Sequence, residues 1–142
     1  MIVNSIAGKH DGIHFTPSSR GLGSSISHLK IENASRGIVV DDSDPIMNNV
    51  TVLNADFVAV DLFSSANPRI HNLTMLGGGQ DIHGISGTWR YGIGLSVGSG
   101  SAPVVNGLMA DSLITRALNV WGGSGGMMND ISITNVSGAT LA

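Results

Sequence analysis

The chain has 142 residues, a formal net charge of −3, 42% hydrophobic residues, 12% charged residues and no cysteine. The hydrophobic fraction argues against a disordered chain, and the lack of cysteine excludes disulfides and thiolate metal sites. The charge balance provides no basic patch, which makes nucleic acid and membrane surfaces poor partners. A single domain over residues 1–142 is expected from this length.

Ten short segments with apolar residues at alternate positions are predicted to be strands. In chain order they are DGIHFT (11–16), ISHLKIEN (26–33), RGIVVD (36–41), MNNVTVLN (47–54), DFVAVD (56–61), IHNLTMLG (70–77), YGIGLS (91–96), VNGLMADS (105–112), RALNVW (116–121) and MNDISITN (128–135). They fall into two families that alternate along the chain. The stretch MIVNSIAGK at the start shows no such pattern.

The five segments of the first family align without gaps and predict two inward columns of side chains. These columns are Ile13, Ile38, Val58, Ile93, Leu118 and Phe15, Val40, Val60, Leu95, Val120. The sixth position predicts an outward column, which contains Thr16, Asp41, Asp61, Ser96 and Trp121. The alignment therefore places Val58 and Val60 on Ile38 and Val40, and Asp61 on Asp41.

The second family also aligns without gaps and predicts three inward columns. These are Ile26, Met47, Ile70, Val105, Met128, then Leu29, Val50, Leu73, Leu108, Ile131, then Ile31, Val52, Met75, Ala110, Ile133. Its last column contains Asn33, Asn54, Gly77, Ser112 and Asn135. Asn and Gly tolerate left-handed backbone, so this column predicts a repeated sharp corner, with Asn side chains able to bond between levels.

The connections between the segments bend the chain and lack hairpin signals such as Asn-Gly or Asp-Gly. Each strand is therefore expected to pair in parallel with its equivalent in the next repeat, which is solenoid behaviour. A β-sandwich is the alternative for many short strands, but it does not explain two gapless five-fold alignments. The predicted fold is an all-β solenoid of about five coils.

The segments GIHF, GIVV and GIGL, with the following LKIEN, VTVLN and ISITN, resemble the right-handed parallel β-helix of pectate lyases, polygalacturonases and bacteriophage tailspikes. The Gly-rich, Asn-rich and cysteine-free coils are most similar to the tailspikes. That resemblance implies a side-by-side homotrimer in the virion tail, with a bacterial surface polysaccharide as the partner. Such proteins usually have more coils and a capping helix, so we expect a fragment of a longer chain or a protomer with covered ends.

Catalysis by this fold would use carboxylates on the outward column. Asp41 and Asp61, on strands about 4.8 Å apart, would have the spacing of a retaining glycoside hydrolase. Asp42 and Asp44 would supply a wider, inverting pair or oxygen ligands for calcium, the one cofactor that the sequence suggests. The alternative interpretation is that VVDDSDP is an ordinary turn in which Asp side chains bond the local backbone.

The longest connection, GGGQDIHGISGTWRYG, is the candidate for substrate binding, because long loops in compact domains are usually functional. It contains Asp81, His83, Trp89, Arg90 and Tyr91. Aromatic faces stack on sugar rings while polar tips bond hydroxyls, and Trp121 would extend that platform. Alternatively, the aromatic residues attach the loop to the coil wall. The five histidines lack paired ligand spacing, so no zinc site is expected.

Three functions remain in competition at the level of the sequence. The first is a tailspike-like segment that binds a bacterial polysaccharide, with or without cleaving it. The second is a structural shaft or trimerisation segment without a ligand. The third is a pectinase-like glycoside hydrolase or polysaccharide lyase, for which Arg36, Arg69 or Arg90 would be the candidate base of the lyase reaction.

Overall fold

The computed structural model describes residues 1–4, 10–78 and 92–137, which form eleven β-strands. The strands are β1 (Ile2–Asn4), β2 (Ile13–Phe15), β3 (Ser25–Glu32), β4 (Arg36–Asp41), β5 (Ile46–Ala55), β6 (Val58–Phe63), β7 (Arg69–Gly78), β8 (Ile93–Val97), β9 (Val104–Asp111), β10 (Arg116–Val120) and β11 (Met127–Thr134). One 3-10 turn, Pro17–Ser19, is the helical structure in these ranges. None of their helical structure is long and apolar enough to cross a bilayer.

The strands form two sheets in which every pair is parallel. The six-stranded sheet has the order β1-β3-β5-β7-β9-β11, and the five-stranded sheet has the order β2-β4-β6-β8-β10. Successive strands along the chain alternate between the two sheets, so each coil contributes one strand to each wall. The prediction of a parallel solenoid of about five coils is confirmed, and the β-sandwich is excluded.

Left-handed residues bend the long strands at two repeated positions. The first set has φ between 52° and 80° and contains His28, Asn49, Asn72, Gly107 and Asp130. The second set has φ between 50° and 61° and is the predicted corner column of Asn33, Asn54, Gly77, Ser112 and Asn135. The corner prediction is confirmed, whereas the first set was not predicted.

The first set of bends explains an irregular spacing in the second family. Met47 and Val50 are three residues apart, yet both are 1% exposed and belong to the core. In a straight strand they would point to opposite faces, because side chains alternate with a period of two. The left-handed Asn49 between them reverses the alternation and returns Val50 to the interior.

The core consists of Ile, Leu, Val and Met side chains stacked from coil to coil, and most are fully buried. Each such side chain contributes about 1.5–3 kcal/mol through removal of its apolar surface from water. Gly37 fills a tight position, where a Cβ would lie 2.6 Å from Cγ1 of Val52 on the six-stranded sheet and 2.4 Å from the carbonyl oxygen of Ala59 on the neighbouring strand β6. A larger side chain has no room there.

The register predicted for the second family is confirmed throughout. Ile26 pairs with Met47, Met47 with Ile70, Ile70 with Val105, and Val105 with Met128. The six-stranded sheet also contains a strand that the sequence did not indicate. Residues Ile2–Asn4 pair with β3, so the expectation of no pattern in MIVNSIAGK is wrong for its first residues.

The register predicted for the first family is wrong by two residues between β4 and β6. Val60 pairs with Ile38 and Leu62 with Val40, instead of Val58 with Ile38 and Val60 with Val40. A shift of one residue would turn every side chain to the wrong face, but a shift of two keeps every inward residue inward. The hydrophobic pattern therefore does not distinguish the two registers.

The same two-residue shift recurs between β8 and β10, where Leu118 pairs with Leu95 rather than with Ile93. The pairing of β2 with β4 and of β6 with β8 follows the prediction. Because of the shifts, Asp61 pairs with Val39 on one side and with Ser96 on the other. The predicted stacking of Asp61 on Asp41 is wrong.

Candidate ligand-binding groove on the five-stranded sheet

An open groove of about 510 Å³ lies on the outer side of the five-stranded sheet at its β2–β6 end. Its lining residues are Asp11, Gly12, His14, Ser35, Arg36, Val39, Phe57 and Phe63. His14, Val39 and Phe63 come from three successive strands, and Ser35 and Phe57 come from the corners that precede β4 and β6. The groove therefore combines aromatic rings with a guanidinium, a carboxylate and an imidazole.

The observed register arranges the outward side chains of this sheet in two columns. Next to the corners, Arg36 pairs with Val58 and Arg116 with Ile93, but Val58 and Ile93 are only 5% and 3% exposed. The adjacent column contains His14, Val39, Asp61, Ser96 and Asn119. Continued by one residue, the same pairings give a second outward column of Thr16, Asp41, Phe63, Gly98 and Trp121.

Two arginines are held by polar neighbours in the adjacent column. Arg36 Nη1 lies 4.0 Å from Asp61 Oδ2, and the Asp61 side chain is 16% exposed. Arg116 Nη1 donates a hydrogen bond to Asn119 Oδ1 at 3.0 Å. The charged groups of the groove are thus positioned by the sheet, with Arg36 at its rim and Asp61 beside it.

The carboxylates of Asp41 and Asp61 are diagonal neighbours on this face. Two residues along a strand and one step between strands place their Cα atoms about 8 Å apart. The two carboxyl groups of a retaining glycosidase are about 5–5.5 Å apart. Those of an inverting glycosidase are about 6.5–9.5 Å apart, which leaves room for a water molecule. The direct stacking that the predicted retaining pair assumed is therefore wrong, because the diagonal placement separates the two Cα atoms more widely than direct pairing would.

The acidic turn after β4 is occupied by contacts between coils. Arg20 forms an ion pair with Asp42 and lies 3.7 Å from Asp44, measured from Nε to Oδ2. Asp44 Oδ1 also accepts a hydrogen bond from the backbone N–H of Asn67 at 3.2 Å. The partners in these contacts belong to neighbouring coils and not to the local backbone of VVDDSDP, to which the turn interpretation assigned the Asp side chains.

Calcium at Asp42 and Asp44 stays a prediction. In the described ranges, no three His, Asp or Glu side chains lie close enough together to hold a metal ion. The Arg20 guanidinium, which carries one positive charge, lies against both of the carboxylates predicted as ligands.

Trp121 lies on the same face as the groove, at the β10 edge of the sheet. A Cβ at Gly98 would be only 2.3 Å from Cε2 of the indole, so the ring lies against the backbone of Gly98. Its Nε1 donates to Ser96 Oγ at 3.5 Å, and the residue is 42% exposed. Of the predicted substrate-binding residues, Trp121 is the one whose position is described.

The other five, Asp81, His83, Trp89, Arg90 and Tyr91, lie outside the described residues. The groove instead contains side chains that the sequence did not single out for binding, namely Phe57, Phe63 and His14. Phe63 could have been recognised by continuing the outward alternation of DFVAVD one step past Asp61. Phe57 gave no comparable signal, because it belongs to a corner.

The carboxylate of Asp111 lies on the other sheet and accepts three side-chain hydrogen bonds. Hydrogen bonds from the side chains of Thr134, Asn135 and Ser112 lower the pKa of Asp111 from its usual value of 3.8. Asn135 Nδ2 donates to Oδ1 at 2.8 Å, and Ser112 Oγ donates to Oδ2 at 2.9 Å. Because Thr134 ends β11, Asn135 follows it and Asp111 belongs to β9, the hydrogen bonds from Thr134 and Asn135 join the last described coil to the preceding one.

The chain was compared with protein-family models, curated proteins and solved structures, and none of the three comparisons found a match. The groove and its neighbouring columns therefore carry the functional argument.

Proposed function

We propose that the protein binds a bacterial surface polysaccharide on the outer face of its five-stranded sheet. The observation that carries this proposal is the groove in which Phe57 and Phe63 lie beside Arg36 and His14. Aromatic rings pack on the apolar faces of sugars, and charged or polar tips bond the hydroxyl and carboxylate groups at the sugar edges. A site with both chemistries in one open groove suits a saccharide better than an apolar ligand.

The resemblance to tailspikes supplies the biological setting of the proposal. It implies a right-handed β-helical segment of a phage tailspike or related tail protein, assembled as a side-by-side homotrimer in the virion tail. Sedimentation equilibrium of the chain tests this part, with a mass of three copies as the expected result.

Binding is tested with an array of bacterial capsular and lipopolysaccharide glycans. We expect Phe63→Ala to weaken binding at least about twofold, because stacking contributes about 0.5–1.5 kcal/mol beyond area burial. The control is Leu22→Ala, which removes a side chain that is 75% exposed and does not line the groove. Loss of binding in both variants, or in neither, would contradict the assignment of the groove.

Cleavage of the bound polysaccharide is the extension of this proposal, with Asp41 and Asp61 as the acid and the base of an inverting glycoside hydrolase. One carboxylic acid would protonate the leaving oxygen, and the other carboxylate would activate a water molecule on the opposite face of the sugar. We expect Asp41→Asn and Asp61→Asn each to abolish release of reducing ends while polysaccharide is still retained. Unchanged release in both variants would remove this pair, and would leave a lyase or a purely binding role.

The second candidate function is a structural shaft. It is favoured by hydrogen bonds that join outward side chains of the six-stranded sheet from coil to coil, such as Asn72 Nδ2 to Asn49 Oδ1 at 2.9 Å and Asn129 Nδ2 to Asn106 Oδ1 at 2.9 Å. An intact trimer that retains no glycan from the array would support the shaft over the binding function.

A further inference from the structure

The position of Trp121 against Gly98 gives the outer face a second aromatic surface. A Cβ at Gly98 would also be 2.4 Å from Cζ2 and 2.6 Å from Nε1 of the indole, so the ring occupies the space that a side chain at Gly98 would need. The hydrogen bond from Nε1 to Ser96 Oγ orients the ring from the neighbouring column. The indole is therefore positioned by the sheet beneath it.

The register places this indole next to the groove. The N–H of Gly98 donates to the carbonyl oxygen of Leu62 at 2.9 Å, and the N–H of Trp121 donates to that of Val97 at 2.9 Å. Phe63, Gly98 and Trp121 are consequently neighbours on three successive strands, which span about 10 Å at about 4.8 Å per step. The indole covers Gly98, whose strand lies between those of Phe63 and Trp121, so the two aromatic residues belong to one column along the solenoid axis.

Polar groups accompany the aromatic column on the side of the groove. Asp61 belongs to the strand of Phe63, and Asp41 precedes Phe63 in the same column. Carboxylates accept hydrogen bonds from sugar hydroxyls, whereas the rings provide flat apolar surfaces for the C–H faces of successive sugars. An apolar docking surface for protein would not need carboxylates beside its rings.

From this arrangement we infer that Phe63 and Trp121 are two successive stacking subsites for one linear polysaccharide chain that runs parallel to the solenoid axis. The inference rests on the proposed function and adds that the polysaccharide runs along the solenoid axis and must be long enough to reach both rings. A short saccharide fits within the groove at Phe63, and only a longer chain reaches the indole. The protein would therefore select extended polysaccharide over its short fragments.

The test uses a polysaccharide retained by the wild-type chain on the glycan array, partly hydrolysed and separated into chains of two to ten sugars. Isothermal titration should show that affinity rises with chain length in the wild type. Trp121→Ala should weaken binding of the longest chains about tenfold, the equivalent of about 1.4 kcal/mol, and leave the shortest chains unchanged. Phe63→Ala should weaken binding of all lengths.

Gly98→Ala provides a version of the test in which the indole is kept but displaced, since its Cβ has no room beneath the ring. We expect it to reproduce the length-dependent loss of Trp121→Ala. The matched control is Gly125→Ala, because a Cβ at Gly125 meets nothing within 4 Å.

The outcomes separate this inference from the proposed function. No glycan retained by the wild-type chain would overturn both. If Phe63→Ala weakens binding but Trp121→Ala and Gly98→Ala do not at any chain length, Trp121 is not a subsite. That result would overturn the inference and leave the groove at Phe63 as the binding site.

Discussion

The two sheets of the solenoid share the same core but differ in what their outward side chains contact. On the six-stranded sheet, outward residues bond to their equivalents in the next coil, as Asn49 does with Asn72. On the five-stranded sheet, outward residues line a groove that contains the Arg36 guanidinium and the aromatic rings of Phe57 and Phe63. The outward side chains of the six-stranded sheet thus bond to one another between coils, whereas those of the five-stranded sheet present aromatic, charged and polar groups to a ligand.

The two sheets also differ in how many backbone positions have positive φ. Left-handed residues bend the six-stranded sheet at two positions in every coil, and their side chains are limited to the few types that tolerate positive φ. The strands β4, β6, β8 and β10 of the five-stranded sheet contain no positive-φ residue in their bounds. Their outward positions are therefore free to vary, which is what a binding surface requires.

The largest expected effect comes from a cross-link that tests the register of the five-stranded sheet. In the cysteine-free chain, Val39→Cys with Asp61→Cys should form a disulfide on mild oxidation, because directly paired Cα atoms are within bridging distance. The bridge should stabilise the fold by about 3 kcal/mol, since it closes a loop of roughly twenty residues. Asp41→Cys with Asp61→Cys is the matched pair that should stay reduced, and urea unfolding with thiol titration measures both. Efficient bridging of the second pair alone would restore the register that the sequence predicted.

A smaller effect is expected at the bends of the six-stranded sheet. Asn72→Val should lower the free energy of unfolding by about 1–3 kcal/mol, because a β-branched residue is strained at a φ of 57° and the bond to Asn49 is lost. Asn72→Gly, which accepts the backbone conformation, separates the two contributions. If Gly destabilises the fold as much as Val does in urea denaturation, backbone strain is not what restricts this column.

The smallest effect concerns pH and the carboxylate of Asp111. Hydrogen bonds from Thr134, Asn135 and Ser112 lower its pKa in the folded state. Its stabilising contribution is therefore complete above the unfolded pKa of about 3.9 and is lost as the pH falls through the lower folded value. Thermal melts between pH 7 and pH 2 should show that Asp111→Asn reduces the acid sensitivity of the last described coil.

The control for that measurement is Asp130→Asn, which removes a carboxylate from β11 and leaves the three hydrogen bonds of Asp111 in place. Its acid dependence should follow that of the wild type more closely. Equal changes in the two variants would assign the acid sensitivity to overall charge rather than to the bonds of Asp111.

The sequence predicted the six-stranded sheet well because its columns carry two independent markers. Apolar residues mark the interior, and a column such as Asn33, Asn54 and Gly77 marks the corner where each coil turns. A register error there would place a branched residue at a left-handed position. The second left-handed column was equally visible, since His28, Asn49, Asn72, Gly107 and Asp130 are types that tolerate positive φ. Interpretation of each segment as one straight strand does not predict this column, because a straight strand contains no residue with positive φ.

The candidate site was predicted less well, for a physical reason that β6 makes clear. Val58, Val60 and Leu62 are all apolar at alternate positions, so the strand pairs acceptably in either of two registers that differ by two residues. The choice between them decides whether Asp61 lies beside Asp41 or beside Val39. The same two-residue ambiguity between β8 and β10 decides whether Trp121 lies over Ser96 or over Gly98.

The sequence by itself determined that the chain forms an all-β, parallel-stranded solenoid and which side chains fill most of its interior, with Ile131, predicted inward, 43% exposed on the last described strand. Those features follow from periodicity, which is local and repeats in every coil. On the five-stranded sheet, tertiary structure decided which outward residues become neighbours, because a shift of two residues keeps the same side chains inward and the sequence pattern does not exclude it. The groove at Phe63 and the indole over Gly98 exist only in the register that this stacking selects.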